Sequence, residues 1–220
     1  MRRVAALSML APALVLASAT AAIAQAEPTE VHHVEPPLAP LEHPPDWAIE
    51  MHGAGVIPFA RGSLCPSMSG CVLGAGVSLG VGAEHRWTDG FGLLAGYSFW
   101  VLDSASVFEV GTLHALRVGA RYTFDERWIV HPSIDAQLGA LLFGDTTQIS
   151  TGGGLLSLGG RVEIELSEAA LVLVGAEVWL LSTGAFRTRD GVERARDFGV
   201  EAVLTLHVGL RVLVGSATTH

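Results

Sequence analysis

Residues suited to ion-pair or acid–base chemistry recur in this chain at a spacing of two. Glu50 and His52 share one parity, as do Glu84 and Arg86, and as do Arg161, Glu163 and Glu165. Arg117 and Arg121 form a similar pair, His131 precedes Asp135 on the same parity, Glu177 stands in an otherwise apolar run, and Glu201, His207 and Arg211 mark the last such stretch. A period of two puts side chains on one face of a β-strand. Several strands would thus present charge to one shared space. Arginine and carboxylate can pair there through the planar guanidinium fork. The same groups with histidine could instead relay protons or line a gated channel. Paired ions that fill and fix an interior are favoured, because an unpaired charge held away from water costs several kcal/mol.

Other residues offer other chemistry. His114 has the opposite, apolar parity, and Glu109 lies close by in sequence. A histidine oriented by an acid is the base half of a nucleophilic triad. No serine of matching parity stands on a neighbouring stretch, since Ser98 has the other parity, and a nucleophile must reach its base. No catalytic residue is assigned, and an enzyme is not expected. The segment FRTRDGVERARD carries Arg187, Arg189, Arg194 and Arg196, which suit phosphate, but Asp190, Glu193 and Asp197 offer them internal salt bridges. Cys65 and Cys71 in LCPSMSGC read as a disulfide rather than a metal site, because further zinc ligands are lacking. His32, His33 and His43 read as exposed linker residues, so neither a metal nor a cofactor is expected.

The chain has 220 residues, enough for one domain. It opens MRRVAALSMLAPALVLASATAAIAQA, with Arg2 and Arg3, an apolar run and a small Ala24-Gln25-Ala26 site, the layout of a cleaved secretory signal peptide over 1–26. Without Arg2 and Arg3 the 13 basic residues, all arginine, become 11 against 22 acidic ones, a formal charge of −11 that excludes a basic nucleic-acid surface. Residues 27–46 read as a Pro-rich linker. No later stretch offers about 18 uncharged apolar residues, so no spanning helix is expected. Mean hydropathy is nevertheless +0.44. Export, high hydropathy and the lack of a spanning helix fit together in a closed barrel, which satisfies its own backbone within a membrane.

The elements that would position the charges are alternating runs. Leu116, Val118, Ala120, Tyr122 and Phe124 share a face, and after the turn Asp125-Glu126-Arg127 so do Trp128, Val130, Ile134, Ala136 and Leu138. That is a β-hairpin. Similar strands are expected over about 47–59, 71–87, 91–102, 155–166, 169–181 and 198–214, with Leu73 on the outward face of the second. Each can cross hydrocarbon at a tilt, for which roughly 9–11 residues suffice. Short turns are expected near 88–90, 125–127 and 167–168, and longer connections near 61–70, 103–109, 144–153 and 182–197. Pro132 cannot donate to a ladder and implies a bulge or bend. Trp47, Trp87, Phe91, Tyr122, Phe124 and Trp128 all fall at the short-turn end with outward parity, as a membrane girdle requires. The expected fold is an all-β, eight-stranded antiparallel up-and-down transmembrane barrel over 47–215, with a tail at 216–220.

This pattern resembles the small eight-stranded outer-membrane barrels of Gram-negative bacteria, the outer membrane protein A-like and X-like transmembrane domains. The resemblance is architectural and covers about 47–215. It implies the outer membrane as location, with the linker and short turns in the periplasm. It also implies membrane lipid as a partner, the barrel assembly machinery during insertion, and a monomer. Arg187, Arg189, Arg194 and Arg196 would then be candidates for lipopolysaccharide phosphate. A lipid A deacylase-like enzyme and a soluble exported ligand-binding barrel are the competing readings. The chain departs from the family pattern by ending in Gly215-Ser216-Ala217-Thr218-Thr219-His220 rather than on an aromatic residue.

Overall fold

The computed structural model describes residues 46–60, 62, 64–65, 70–87, 89–105, 107–108, 111–124, 129–167, 169–188, 191–195 and 199–214. Residues 1–45, which cover the expected signal peptide and all but the last residue of the expected linker, the expected tail and Trp128 lie outside them.

Eight antiparallel strands close into a barrel. They are β1 (Asp46–Ala60), β2 (Gly76–Arg86), β3 (Phe91–Leu102), β4 (Gly111–Thr123), β5 (Val130–Asp145), β6 (Ile149–Ser167), β7 (Ala170–Thr183) and β10 (Glu201–Val214). Each pairs with its sequence neighbour, and β10 closes the ring on β1 from Trp47↔Val214 to Ala60↔Ala202. A small hairpin, β8 (Phe186–Arg187) with β9 (Glu193–Arg194), sits in the connection from β7 to β10. The strand ends at Asp46 and Val214 and the connections β2–β3, β4–β5 and β6–β7 share one end of the barrel, here the terminal end. The other is the loop end.

Local chemistry explains the tight turns. Between β2 and β3, Gly90 adopts φ +81°, which glycine takes without strain. Asp89 Oδ1 accepts from the Phe91 amide at 3.2 Å, and the Trp87 amide donates to the Phe91 carbonyl at 2.8 Å.

The walls are inverted relative to a soluble domain. Large apolar side chains cover the outside all round, with Leu79 69%, Leu138 62% and Leu206 51% exposed, while most buried polar side chains point to the lumen. Soluble monomers rarely show contiguous apolar patches beyond a few hundred Å2. An apolar band outside a polar interior is the pattern of a transmembrane barrel.

Three expectations are corrected. Strand β5 pairs with β6 in unbroken register through Pro132↔Val162, and its irregularity lies at Phe143/Gly144. The Pro132 carbonyl accepts from Phe124, just past the end of β4, so the missing N–H falls where that ladder has stopped. The connection expected to be long near 144–153 spans only 146–148, because β5 and β6 run on as a hairpin held by Asp145 Oδ1 against the amides of Thr147 and Gln148. Leu73 is not on the outer face. Strand β2 starts at Gly76, and Leu73 belongs to the preceding loop, which folds inward and buries it.

Candidate functional site: a charged lumen under an apolar stopper

Strands β1, β2, β4, β5, β6 and β10 each aim charge into the lumen near the terminal end. Arg121 of β4 is the hub. Its Nη2 donates to Glu50 Oε2 at 3.1 Å and its Nη1 to Glu84 Oε2, with Glu163 Oε1 at 3.6 Å and Asp135 Oδ1 at 4.0 Å. Arg161 reaches Asp135 Oδ1 at 2.9 Å and Glu50 Oε2 at 3.2 Å. Arg211 reaches Glu163 Oε1 at 2.9 Å and Glu84 Oε1 at 3.0 Å. Arg86 bonds Glu84 at 3.2 Å and Glu163 at 3.0 Å. Four guanidiniums and four carboxylates thus form one connected cluster whose formal charges cancel. At the terminal rim, His131 Nε2 lies 2.9 Å from Glu165.

One layer nearer the loop end, Arg117 bonds Glu177 at 3.0 Å and stacks over the Trp179 ring at 4.7 Å. Gln137 bridges the layers, donating to Asp135 at 2.7 Å and to Glu177 at 3.2 Å. His52 Nε2 lies 3.4 Å from Arg117 Nη2, and its ring is 5.7 Å from that of His207. The lumen is narrow here. A Cβ on Gly175 would stand 2.6 Å from His207 Nε2 and 2.7 Å from the Gly160 carbonyl, so only glycine fits.

Above this layer the lumen changes character. Trp100 and Trp179 meet edge-on at 4.8 Å, and Leu113, Leu141, Phe143, Leu155, Leu181 and Val203 pack with them. Loop residues Leu64, Val72, Leu73, Phe108, Phe186 and Ala195 continue the same buried cluster beyond the strand ends. The Trp179 indole N–H donates to Thr205 Oγ1 at 3.2 Å. This apolar stopper went unread in the sequence. Its signal was runs apolar at both parities, FWVL at 99–102, ALLF at 140–143 and VWLL at 178–181.

Two residues expected elsewhere hold the loops over the stopper. Glu201 does not join the arginine cluster. It is buried and accepts from the amides of Gly62 and Leu64, the latter at 2.8 Å. Arg194, a phosphate candidate by sequence, is fully buried and donates to the carbonyls of Leu64 at 3.1 Å and Gly70 at 2.7 Å and to Thr188 Oγ1 at 3.0 Å. A guanidinium satisfied by internal carbonyls is withdrawn from an external anion. Arg187 is exposed, while Arg189 and Arg196 lie outside the described residues. The Cys65–Cys71 disulfide closes the loop segment that Arg194 and Glu201 grip.

On the outer wall near the terminal end, Trp47, Trp87, Phe91, Tyr122 and Phe124 are exposed. Contacts run from Trp47 through His85 to Trp87 (4.9 Å each) and Phe91 (5.7 Å), with Tyr122 against Phe124 at 5.0 Å. These residues form an arc over β1–β4. His114 faces outward, its Nδ1 hydrogen-bonded to the Tyr97 hydroxyl at 2.7 Å, and Ser98 is buried on the lumen side. Glu109 lies outside the described residues.

The arrangement suits static charge compensation. Each arginine of the cluster bridges two or more carboxylates, and dense apolar packing separates the cluster from the loop end. No protein-family model and no curated protein matches the chain. Solved structures do resemble it. Neisserial surface protein A superposes with a TM-score of 0.57 at 16% identity, covering 76% of this chain and 96% of that one. The outer membrane protein OprG from Pseudomonas aeruginosa gives 0.52 at 13% identity, over 79% of this chain and 97% of that one. At such identities the likeness establishes a shared eight-stranded barrel fold.

Proposed function

We propose that this barrel, built on the fold of known outer-membrane proteins, is itself an integral outer-membrane protein of a Gram-negative bacterium with a structural or surface-interaction role. The observation that carries the reading is the inversion of its walls: an apolar exterior around a lumen filled by a charge-balanced ion cluster. In water that exterior would oppose solubility, at about 25 cal/mol for each Å2 of apolar surface left wet. In hydrocarbon it is the required surface.

The aromatic arc and the barrel ends at Asp46 and Val214 then lie at the periplasmic interface, and the loops held by Arg194 and Glu201 face outward. The apolar packing of the stopper across the lumen supports a role other than conduction. The exposed Arg187 remains a contact for lipopolysaccharide phosphate. The outward histidine is engaged by Tyr97 rather than by a nucleophile, so a lipid-modifying activity is not part of the reading. Lipid A of unchanged mass after gene deletion is the expected result.

Cell fractionation and heat-modifiable gel migration test the location. The protein is expected in the outer-membrane fraction, extracted only with detergent, with different mobility before and after boiling. Recovery in a detergent-free soluble fraction would refute the reading.

A further inference from the structure

The outer wall carries a groove centred on β2, β3 and β4 and edged by Ile49 of β1 and Leu138 of β5. Its floor is Ala83 and Ala95, register partners whose small side chains face outward. Val81, Tyr97, Leu116 and Val118 rise around them, bordering an open depression of ≈ 590 Å3 with an almost wholly apolar lining. Elsewhere on the wall, large side chains such as Leu79 and Leu206 stand out from the surface.

Toward the loop end, the groove meets the outward polar pair. Tyr97 lines the groove itself, and its hydroxyl holds His114 Nδ1 at 2.7 Å, with the Phe99 ring 5.0 Å from the histidine. A polar pair in a hydrocarbon-facing wall is costly unless satisfied. The hydrogen bond between them uses only part of their capacity, since a phenol oxygen both donates and accepts and an imidazole has a second ring nitrogen.

Depth fixes which lipid could use both features. A strand rising about 3.4 Å per residue and tilted by about 40° climbs roughly 2.6 Å per residue along the barrel axis. Phe91 and Tyr122, register partners, mark the aromatic rim. Ala95 therefore lies about 10 Å above that rim and His114 about 20 Å, within a band about 25 Å tall. The polar pair falls just below the outer boundary, and the groove runs beneath it toward the middle of the membrane.

We propose that this groove is a binding site for one acyl chain of an outer-leaflet lipid. The carbonyl or hydroxyl at the head-proximal end of that chain hydrogen-bonds at the Tyr97–His114 pair, and the chain lies over Ala83 and Ala95. The proposal rests on the membrane location proposed above.

The test is photo-crosslinking of the full protein in phosphatidylcholine vesicles doped with a phospholipid carrying a mid-chain diazirine, with adducts mapped by mass spectrometry. Adducts at Ala83, Ala95 and Val118 should exceed those at Val162, Val174 and Leu210, on the opposite wall at similar depth, by about fivefold. The double variant Ala83→Leu/Ala95→Leu should abolish the excess, and His114→Phe should reduce it, with folding of each verified by heat-modifiable migration. Even labelling around the wild-type wall would overturn the site, as would an excess that survives Ala83→Leu/Ala95→Leu. Contact between these residues of two copies, detected by protein–protein crosslinking in the same vesicles, would replace the lipid with a dimer interface. Absence of acyl adducts anywhere on the wall would instead defeat the membrane reading on which the site rests.

Discussion

Replacing Arg121 by Met tests whether the lumen cluster acts as one charge-balanced unit. Met keeps an unbranched stem out to the position of Nε and removes the cation. Arg86, Arg161 and Arg211 then remain against Glu50, Glu84, Asp135 and Glu163, and each of the three already bridges two of those carboxylates. One negative charge is left without a counter-ion among side chains that are almost fully buried. Breaking a buried pair by removing one partner costs about 3–5 kcal/mol, mostly from the stranded charge. The companion Arg121→Met/Glu84→Gln removes one charge of each sign and should recover about 2 kcal/mol of that loss.

The assay is reversible urea unfolding in phospholipid vesicles, followed by tryptophan fluorescence, with stabilities taken from midpoint and slope. A stability for Arg121→Met within about 0.5 kcal/mol of wild type, the range of an inconsequential surface change, would refute the reasoning. So would a double variant no more stable than the single one, because the penalty would then not be one of uncompensated charge.

Four further outcomes are expected. Ala136→Leu, on the outer wall, should change stability by no more than about 0.5 kcal/mol in the same titration. Trp179→Ala removes the centre of the stopper and should cost about 3–5 kcal/mol; wild-type protein in planar bilayers should stay at baseline current, and a steady unitary conductance would contradict the closed lumen. Arg194→Ala strands the carbonyls of Leu64 and Gly70, each worth about 1–3 kcal/mol when buried and unmet. Limited proteolysis within 62–70 should then accelerate by about tenfold, the ratio that 1.4 kcal/mol of local stability gives.

Much of the barrel is legible in the sequence because a closed sheet with one apolar face imposes a strict period of two. That period assigns Leu116, Val118 and Leu138 to the outer wall and Arg117, Arg121 and Asp135 to the lumen without any knowledge of partners. Partner choice is a different matter. The Arg121–Glu50 and Arg161–Glu50 contacts join residues 71 and 111 positions apart, and parity carries no information about height or angle around the barrel. The stopper was hidden for a related reason. Trp100, Leu113 and Trp179 share the lumen parity with the charged residues, and apolar residues at both parities blur the alternation that reveals a face. Glu201 and Arg194 read as a lumen charge and a surface charge, because sequence does not show a loop folding back to bring the amides of Gly62 and Leu64 and the carbonyls of Leu64 and Gly70 within reach. Pro132 shows the converse. The rule that proline disrupts a ladder is sound, but it applies only where the neighbouring strand still needs the donor.

The most direct measurement of the inverted walls is the accessibility of nitroxide labels placed through Leu79→Cys, Leu138→Cys and Leu206→Cys, three positions spread around the barrel; the cysteines present in the protein are joined in the Cys65–Cys71 disulfide. In phospholipid vesicles all three labels should collide readily with oxygen, which concentrates in hydrocarbon, and hardly at all with an aqueous nickel chelate. Strong nickel collision at these positions in the folded protein would place the apolar wall in water and contradict a membrane-spanning barrel.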